Sequence, residues 1–84
     1  NVPVRAFVLI EAAVGKAKNV YEGVQQLQLA EANIVSADVV TGPFDVIALL
    51  EAEDLDKLGQ AITDGIQKAD GVQRTTTCLL LKLS

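Results

Sequence analysis

The chain contains no histidine and only one cysteine, and both shortages restrict its chemistry. Without an imidazole, most acid–base and nucleophilic designs that operate near neutral pH lose their commonest base. One thiol cannot close an internal disulfide, and without further cysteines or histidines it cannot complete a zinc site. Cys78 is therefore read as a small buried apolar residue. No glycine loop of the Walker type is present to cradle phosphate. The longest unbroken apolar run, Ala6 to Ile10, falls far short of the roughly 18 residues that would mark a membrane span. The start of the chain also lacks the basic, apolar and small-residue segments of a secretory signal, so a cytoplasmic location is the expectation. There is no internal repeat, low-complexity segment or linker.

Basic clusters are missing too. Eleven acidic residues against seven basic ones give a net charge of −4, and the basic residues are scattered from Arg5 to Lys82. Phosphate backbones would be repelled, so direct DNA binding is not expected. What remains is an 84-residue chain, half of it apolar, which is enough for one core and too little for two. A single globular domain over residues 1–84 is the expectation.

Val4 to Ala12 is almost continuously apolar and predicts a first strand buried on both faces. After Gly15, the residues Ala17, Val20, Tyr21, Val24 and Leu27 recur at the spacing of one helical face, predicting a helix over about 16–28. Asn33 to Thr41 predicts a second strand, with Val35, Ala37 and Val39 on one side and Ile34, Ser36, Asp38 and Val40 on the other. Thr41, Gly42 and Pro43 carry turn chemistry, and the apolar run Phe44 to Leu50 follows directly, which predicts an antiparallel hairpin. Glu53-Asp54-Leu55-Asp56 supplies a capping carboxylate for a second helix. Its buried stripe is Leu55, Leu58, Ile62, Ile66 and Ala69, and Gly71 is its terminating residue. Val72 to Leu83 closes the chain as a long strand. The order βαββαβ with right-handed crossovers predicts an α+β, ferredoxin-like sandwich: a four-stranded antiparallel sheet with two helices on one face.

The opposite face of such a sheet meets water, yet the strands do not alternate cleanly. Phe7, Leu9, Ile47, Leu49, Leu79 and Leu81 are expected to form a continuous apolar patch, large enough to need a partner chain. The chemistry-bearing candidates are sparse. Glu51, Glu53, Asp54 and Asp56 match no calcium loop and are better explained by a helix start, so neither metal nor cofactor is expected. In Thr41-Gly42-Pro43-Phe44-Asp45, glycine permits close backbone approach and a carboxylate at the mouth of a strand can hold an ammonium group; Asp45 could equally cap local amides. In Gly71-Val72-Gln73-Arg74-Thr75-Thr76-Thr77, alternation places the hydroxyls of Thr75 and Thr77 on one face.

Taken in order, an apolar opening strand, a hairpin bearing Gly-x-x-Asp before an apolar run, Asp54-Leu55 opening the second helix, and Gly71-Val72 leading to Arg74-Thr75-Thr76-Thr77 resemble the ligand-binding domain of the Lrp/AsnC regulators over essentially the whole chain. The resemblance implies a ferredoxin-like domain that dimerises through its sheets, joins into rings of dimers and binds an amino acid at subunit contacts. It also implies a pocket formed by Thr41, Gly42, Pro43, Phe44, Asp45, Thr75 and Thr77. Regulators of this family carry an N-terminal helix-turn-helix, whereas here the first strand begins within a few residues of Asn1. The resemblance is thus to the sensing module in stand-alone form, a partner for full-length Lrp/AsnC regulators. The expected function is a non-enzymatic homo-oligomeric module binding an amino acid or similar effector. Two other classes share these features: small dimeric α/β-barrel enzymes, which usually place histidines or other polar groups inside the barrel, and purely structural oligomerisation units.

Overall fold

The computed structural model describes residues 2–82. Its elements are β1 (Val4–Ala12), α1 (Ala17–Gln26), β2 (Ala32–Val39), β3 (Val46–Ala52), α2 (Leu55–Asp64), a 3-10 turn (Ile66–Lys68) and β4 (Val72–Leu79). The strands form one antiparallel sheet in the order β2-β3-β1-β4, with the α+β, ferredoxin-like arrangement expected from the sequence. Among the described residues no helix is long and apolar enough to cross a membrane.

The core lies between the helices and the two central strands. Ala6, Val8 and Ile10 from β1 and Val46, Ala48, Leu50 and Ala52 from β3 point toward Val20 and Val24 of α1 and Leu58, Ala61, Ile62 and Ile66 from α2 and the turn after it. Among the described residues no polar side chain is buried there. The second helix begins as its sequence requires, with Asp54 Oδ1 accepting from the Lys57 N–H at 2.8 Å. It ends earlier than the stripe to Ala69 predicts. A Cβ at Gly65 would collide with Leu29 Cδ2 and lie 2.7 Å from the Ala61 carbonyl oxygen, so the loop after α1 presses against α2 at this glycine and the chain tightens into the 3-10 turn. Gly71, at φ +88°, then turns the chain into β4.

Both edge strands depart from simple alternation, and for the same reason. The pairing of β2 with β3 shifts between Ile34 and Ser36, so Val35 is an extra residue. Ile34 and Ala37 consequently face the helices together, where unbroken alternation would set them on opposite sides. The pairing of β4 with β1 jumps from Ala12↔Val72 to Glu11↔Arg74, leaving Gln73 as the extra residue. Beyond it the parity is reversed. Leu79 pairs with Ala6 on the helix side, and Cys78 pairs with Phe7 on the face without helices.

Several expectations change accordingly. Leu79 does not join the bare sheet face, and Cys78 is exposed there instead of being buried. β4 ends at Leu79, although the Leu80 N–H still donates to the Arg5 carbonyl at 2.9 Å; Leu81 lies beyond the strand, and Leu83 lies outside the described residues. Leu55, expected in the buried stripe, is 58% exposed, because as the first residue of α2 it borders an open groove with Val2, Pro3 and Val4. The bare face itself exists as expected. It carries Phe7, Leu9, Ile47 and Leu49, flanked by the Arg5–Glu51 ion pair at 2.7 Å. One face of β1 is therefore open within the chain, not buried on both.

The exposure of Leu79 at the edge of the covered face is directly testable. Leu50→Ala should lower the unfolding free energy by about 2–5 kcal/mol, the range for emptying a fully buried site. Leu79→Ala, at a position 41% exposed, should cost about 1 kcal/mol or less. Urea denaturation of both variants is the measurement, and equal losses would contradict this placement of Leu79.

Candidate functional site

The hairpin between β2 and β3 carries most of the candidate residues, and its shape follows from a few local demands. Gly42 sits at φ +118°, and a Cβ there would meet nothing within 4 Å, so the conformation rather than space calls for glycine. Thr41, Gly42 and Pro43 are exposed, while Phe44 and Asp45 are half-buried. The loop is closed by the Val40 N–H donating to the Asp45 carbonyl at 2.9 Å.

Asp45 is the anchor. Its N–H donates to the Ile10 carbonyl at 2.9 Å, and its carboxylate Oδ2 accepts from the Ala12 N–H at 2.8 Å. The side chain thus satisfies a backbone donor at the end of β1, just past Ile10↔Val46, the last pair of its ladder to β3. This is the amide-capping role that the sequence leaves open beside ammonium binding. The roles are compatible, because a carboxylate accepts several hydrogen bonds and Oδ1 makes none among the described residues.

Thr75 and Thr77 share a face, as alternation requires, and their register opposite Ile10 and Val8 puts that face on the helix side. Thr75 is half-buried and its Oγ1 accepts from Gln67 Nε2 at 3.1 Å; Thr77 is exposed. Both segments flank the same stretch of β1, since Ile10 pairs with Thr75 on one side and with Val46 on the other. Within a single chain they lie apart, with the hairpin at the end of the sheet and the threonines on its helix side, Thr75 bonded to Gln67 of the 3-10 turn and Thr77 exposed. Surface grooves lie elsewhere, among them one beside Val2–Val4 and one between α2 and the loop after α1.

The residues that sequence reasoning missed are Ile10 and Ala12, which act through backbone groups that no side-chain pattern reveals. Arg74 was also left out of the pocket. The bulge at Gln73 sets it opposite Glu11 on the bare face, near the hairpin end of the sheet. Among the described residues no group of three or more side chains could hold a metal ion. Lys57 has its proton affinity raised by its hydrogen bond to Glu53 and by that carboxylate's charge, but it sits at the start of α2, outside the hairpin.

Known proteins bear on this geometry. A family model described as the Lrp/AsnC ligand binding domain matches residues 5–83. Among curated proteins none matches. Among solved structures, TTHA0845 from Thermus thermophilus is similar at 31% identity over 96% of each chain, with a TM-score of 0.82. The hypothetical protein PHS023 from Pyrococcus horikoshii is similar at 34% identity over 95% of this chain and 92% of its own, with a TM-score of 0.77. The transcriptional regulator NMB0573 from Neisseria meningitidis, solved in complex with L-Met, shares the fold at 18% identity over 94% of this chain and 50% of its own, with a TM-score of 0.78.

The anchoring role of Asp45 predicts a split between two substitutions. Asp45→Ala leaves the Ala12 N–H without its acceptor and should lower stability by about 1–3 kcal/mol. Asp45→Asn keeps an amide oxygen for that bond and should leave stability nearly unchanged. Equilibrium denaturation distinguishes them, and an unaffected Asp45→Ala protein would remove the anchor.

Proposed function

The chain belongs to the Lrp/AsnC ligand-binding domain family, and from that premise we propose that it is a non-enzymatic, oligomeric module binding an amino acid or similar small effector at subunit contacts. A regulatory, effector-binding role follows from the family. The finer reading rests above all on the family match across residues 5–83, to which the bare sheet face adds physical support.

That face sets Phe7 and Leu9 beside Ile47 and Leu49 on adjacent strands, and the residues beyond Leu79 bring Leu80 alongside Arg5 at its margin. Phe7 is 39% exposed and Leu80 43% exposed, values that a second sheet packed face to face would reduce. Sheet-to-sheet dimerisation is the proposed assembly, with rings of dimers as the next level. In such an assembly the hairpin of one subunit meets surfaces that its own chain does not supply.

The effector is proposed to lie at the hairpin. Oδ1 of Asp45 is available to an ammonium group, and the backbone around Gly42 allows close approach of a carboxylate. Thr41, Pro43 and Phe44 shape the loop. Thr75 and Thr77 are proposed to close the site from β4, on a neighbouring subunit, since within one chain they face the helices. That NMB0573 was solved with L-Met makes an amino acid the first class to try. A partnership with full-length regulators of the same family is consistent with this reading.

Light scattering at micromolar concentration should give at least the dimer mass, and Leu49→Asp should give the monomer, because a charge is poorly tolerated in a desolvated sheet interface. A wild-type monomer would sink the assembly. For the effector, thermal unfolding against a panel of amino acids should reveal one that raises the midpoint, since a ligand bound only by the folded state stabilises it. Calorimetric titration of that amino acid into Asp45→Asn should show affinity weakened by about 1–3 kcal/mol, the scale for losing a charge-assisted hydrogen bond. Unchanged affinity would take Asp45 out of the site.

A further inference from the structure

The bare sheet face carries two charges of opposite sign that stand far apart on it. Asp38 lies on β2 and Arg74 on β4, the two outer strands of the order β2-β3-β1-β4. Asp38 pairs with Ile47, Ile47 with Leu9 and Leu9 with Thr76, so these four form one row across that face, and Arg74 stands two residues from Thr76 toward the hairpin end. Both charged side chains are exposed. Three strand spacings separate β2 from β4, on the order of 14 Å, too far for the two charges to meet within one chain. The ion pairs among the described residues are Arg5–Glu51 and Lys57–Glu53; Glu11, opposite Arg74, is not bonded to it.

A two-fold axis that stacks this face on itself, centred on the apolar patch, has two simple directions. With the axis across the strands, β4 lies over β4 and β2 over β2. Arg74 then falls on the end of β4 marked by Leu80, which is level with Arg5, and Asp38 falls on the row of Ser36. Both charges are desolvated there without a counter-charge. With the axis along the strands, between β3 and β1, β2 lies over β4 and β3 over β1. Phe7 then meets Leu49, and Leu9 meets Ile47, because each of these pairs shares a row. Asp38 falls on Thr76, with Arg74 next along the same face of β4, about 7 Å away and within reach of an extended arginine side chain.

We propose that the sheet-to-sheet dimer is built with its two-fold axis along the strands, so that Asp38 of each subunit pairs with Arg74 of the partner subunit. This orientation rests on the assembly proposed above and adds what fixes its register. The apolar rows supply the attraction, and two symmetric charge pairs at the rim select this stacking against the crossed one.

The test is sedimentation equilibrium of the wild type, of Arg74→Glu and Asp38→Arg alone, and of the two variants mixed in equal amounts. Each variant alone brings like charges together twice, and its dimer dissociation constant should rise about tenfold or more. In the mixed dimer the two altered residues face each other, as do the two unaltered ones. Both contacts then join opposite charges again, and the dissociation constant should return to near the wild-type value. Circular dichroism of each variant checks that these exposed substitutions leave the fold intact. A mixture no tighter than the variants alone, or a reversal that leaves the dissociation constant unchanged, would overturn the orientation while the dimer stands. A monomeric wild type would overturn the orientation and the assembly together.

Discussion

Two helices cover one face of the β2-β3-β1-β4 sheet, and the distribution of side-chain size across the sheet turns on that one-sided cover. The covered face of the central strands uses Ala6, Val8 and Ile10 and Val46, Ala48, Leu50 and Ala52, a set with three alanines that lets the helices approach closely. The bare face of the same strands carries Phe7, Leu9, Ile47 and Leu49. Larger side chains thus stand on the side with no cover, the reverse of what a free-standing monomer needs. Charged residues stand around that apolar middle, with Arg5 paired to Glu51 at one margin, Glu11 opposite Arg74 at the other, and Asp38 of β2 opposite Ile47.

Central strands were legible because alternation runs through them unbroken. β1 was read to the residue, and the parity of Ala6, Val8 and Ile10 against Phe7 and Leu9 is the one observed. Edge strands were not, since each carries one extra residue, Val35 in β2 and Gln73 in β4, and a single insertion reverses every later side chain. Neither Val35 nor Gln73 is a glycine or proline that would announce a bulge. The exchange of Cys78 for Leu79 on the bare face is the result. Helix starts were easier, as the Asp54 cap illustrates; the early end of α2 depends on Leu29 meeting Gly65, a tertiary contact with no local signature.

The candidate site was legible in part. The need for glycine at position 42 and for a carboxylate at position 45 could be read from turn chemistry, and both have a visible structural cause in the positive φ and the Ala12 hydrogen bond. How the hairpin relates to Thr75 and Thr77 could not be read, because the face taken by those threonines depends on the bulge at Gln73. With Oγ1 of Thr75 engaged by Gln67 beneath the helices, one chain alone brings the two segments to the same end of β1 without merging them.

β1 is the element common to the hairpin and the bare face. Asp45 holds β1 at the Ile10 carbonyl and the Ala12 amide, and the residues just before these, Phe7 and Leu9, form the middle of the apolar face. β1 is paired on both sides from Ala6 to Ile10. Its end at Glu11 and Ala12, where the ladder to β4 shifts, is less constrained. A ligand that engaged the free oxygen of Asp45 would therefore act first on the irregular end of β1, near Arg74 and Glu11 at the rim of the bare face. Coupling between effector binding and assembly would then operate through the polar rim of the interface, leaving the apolar centre around Leu9 and Leu49 in place. Under the proposed function, an effector held there would change how subunits are arranged more readily than whether they associate.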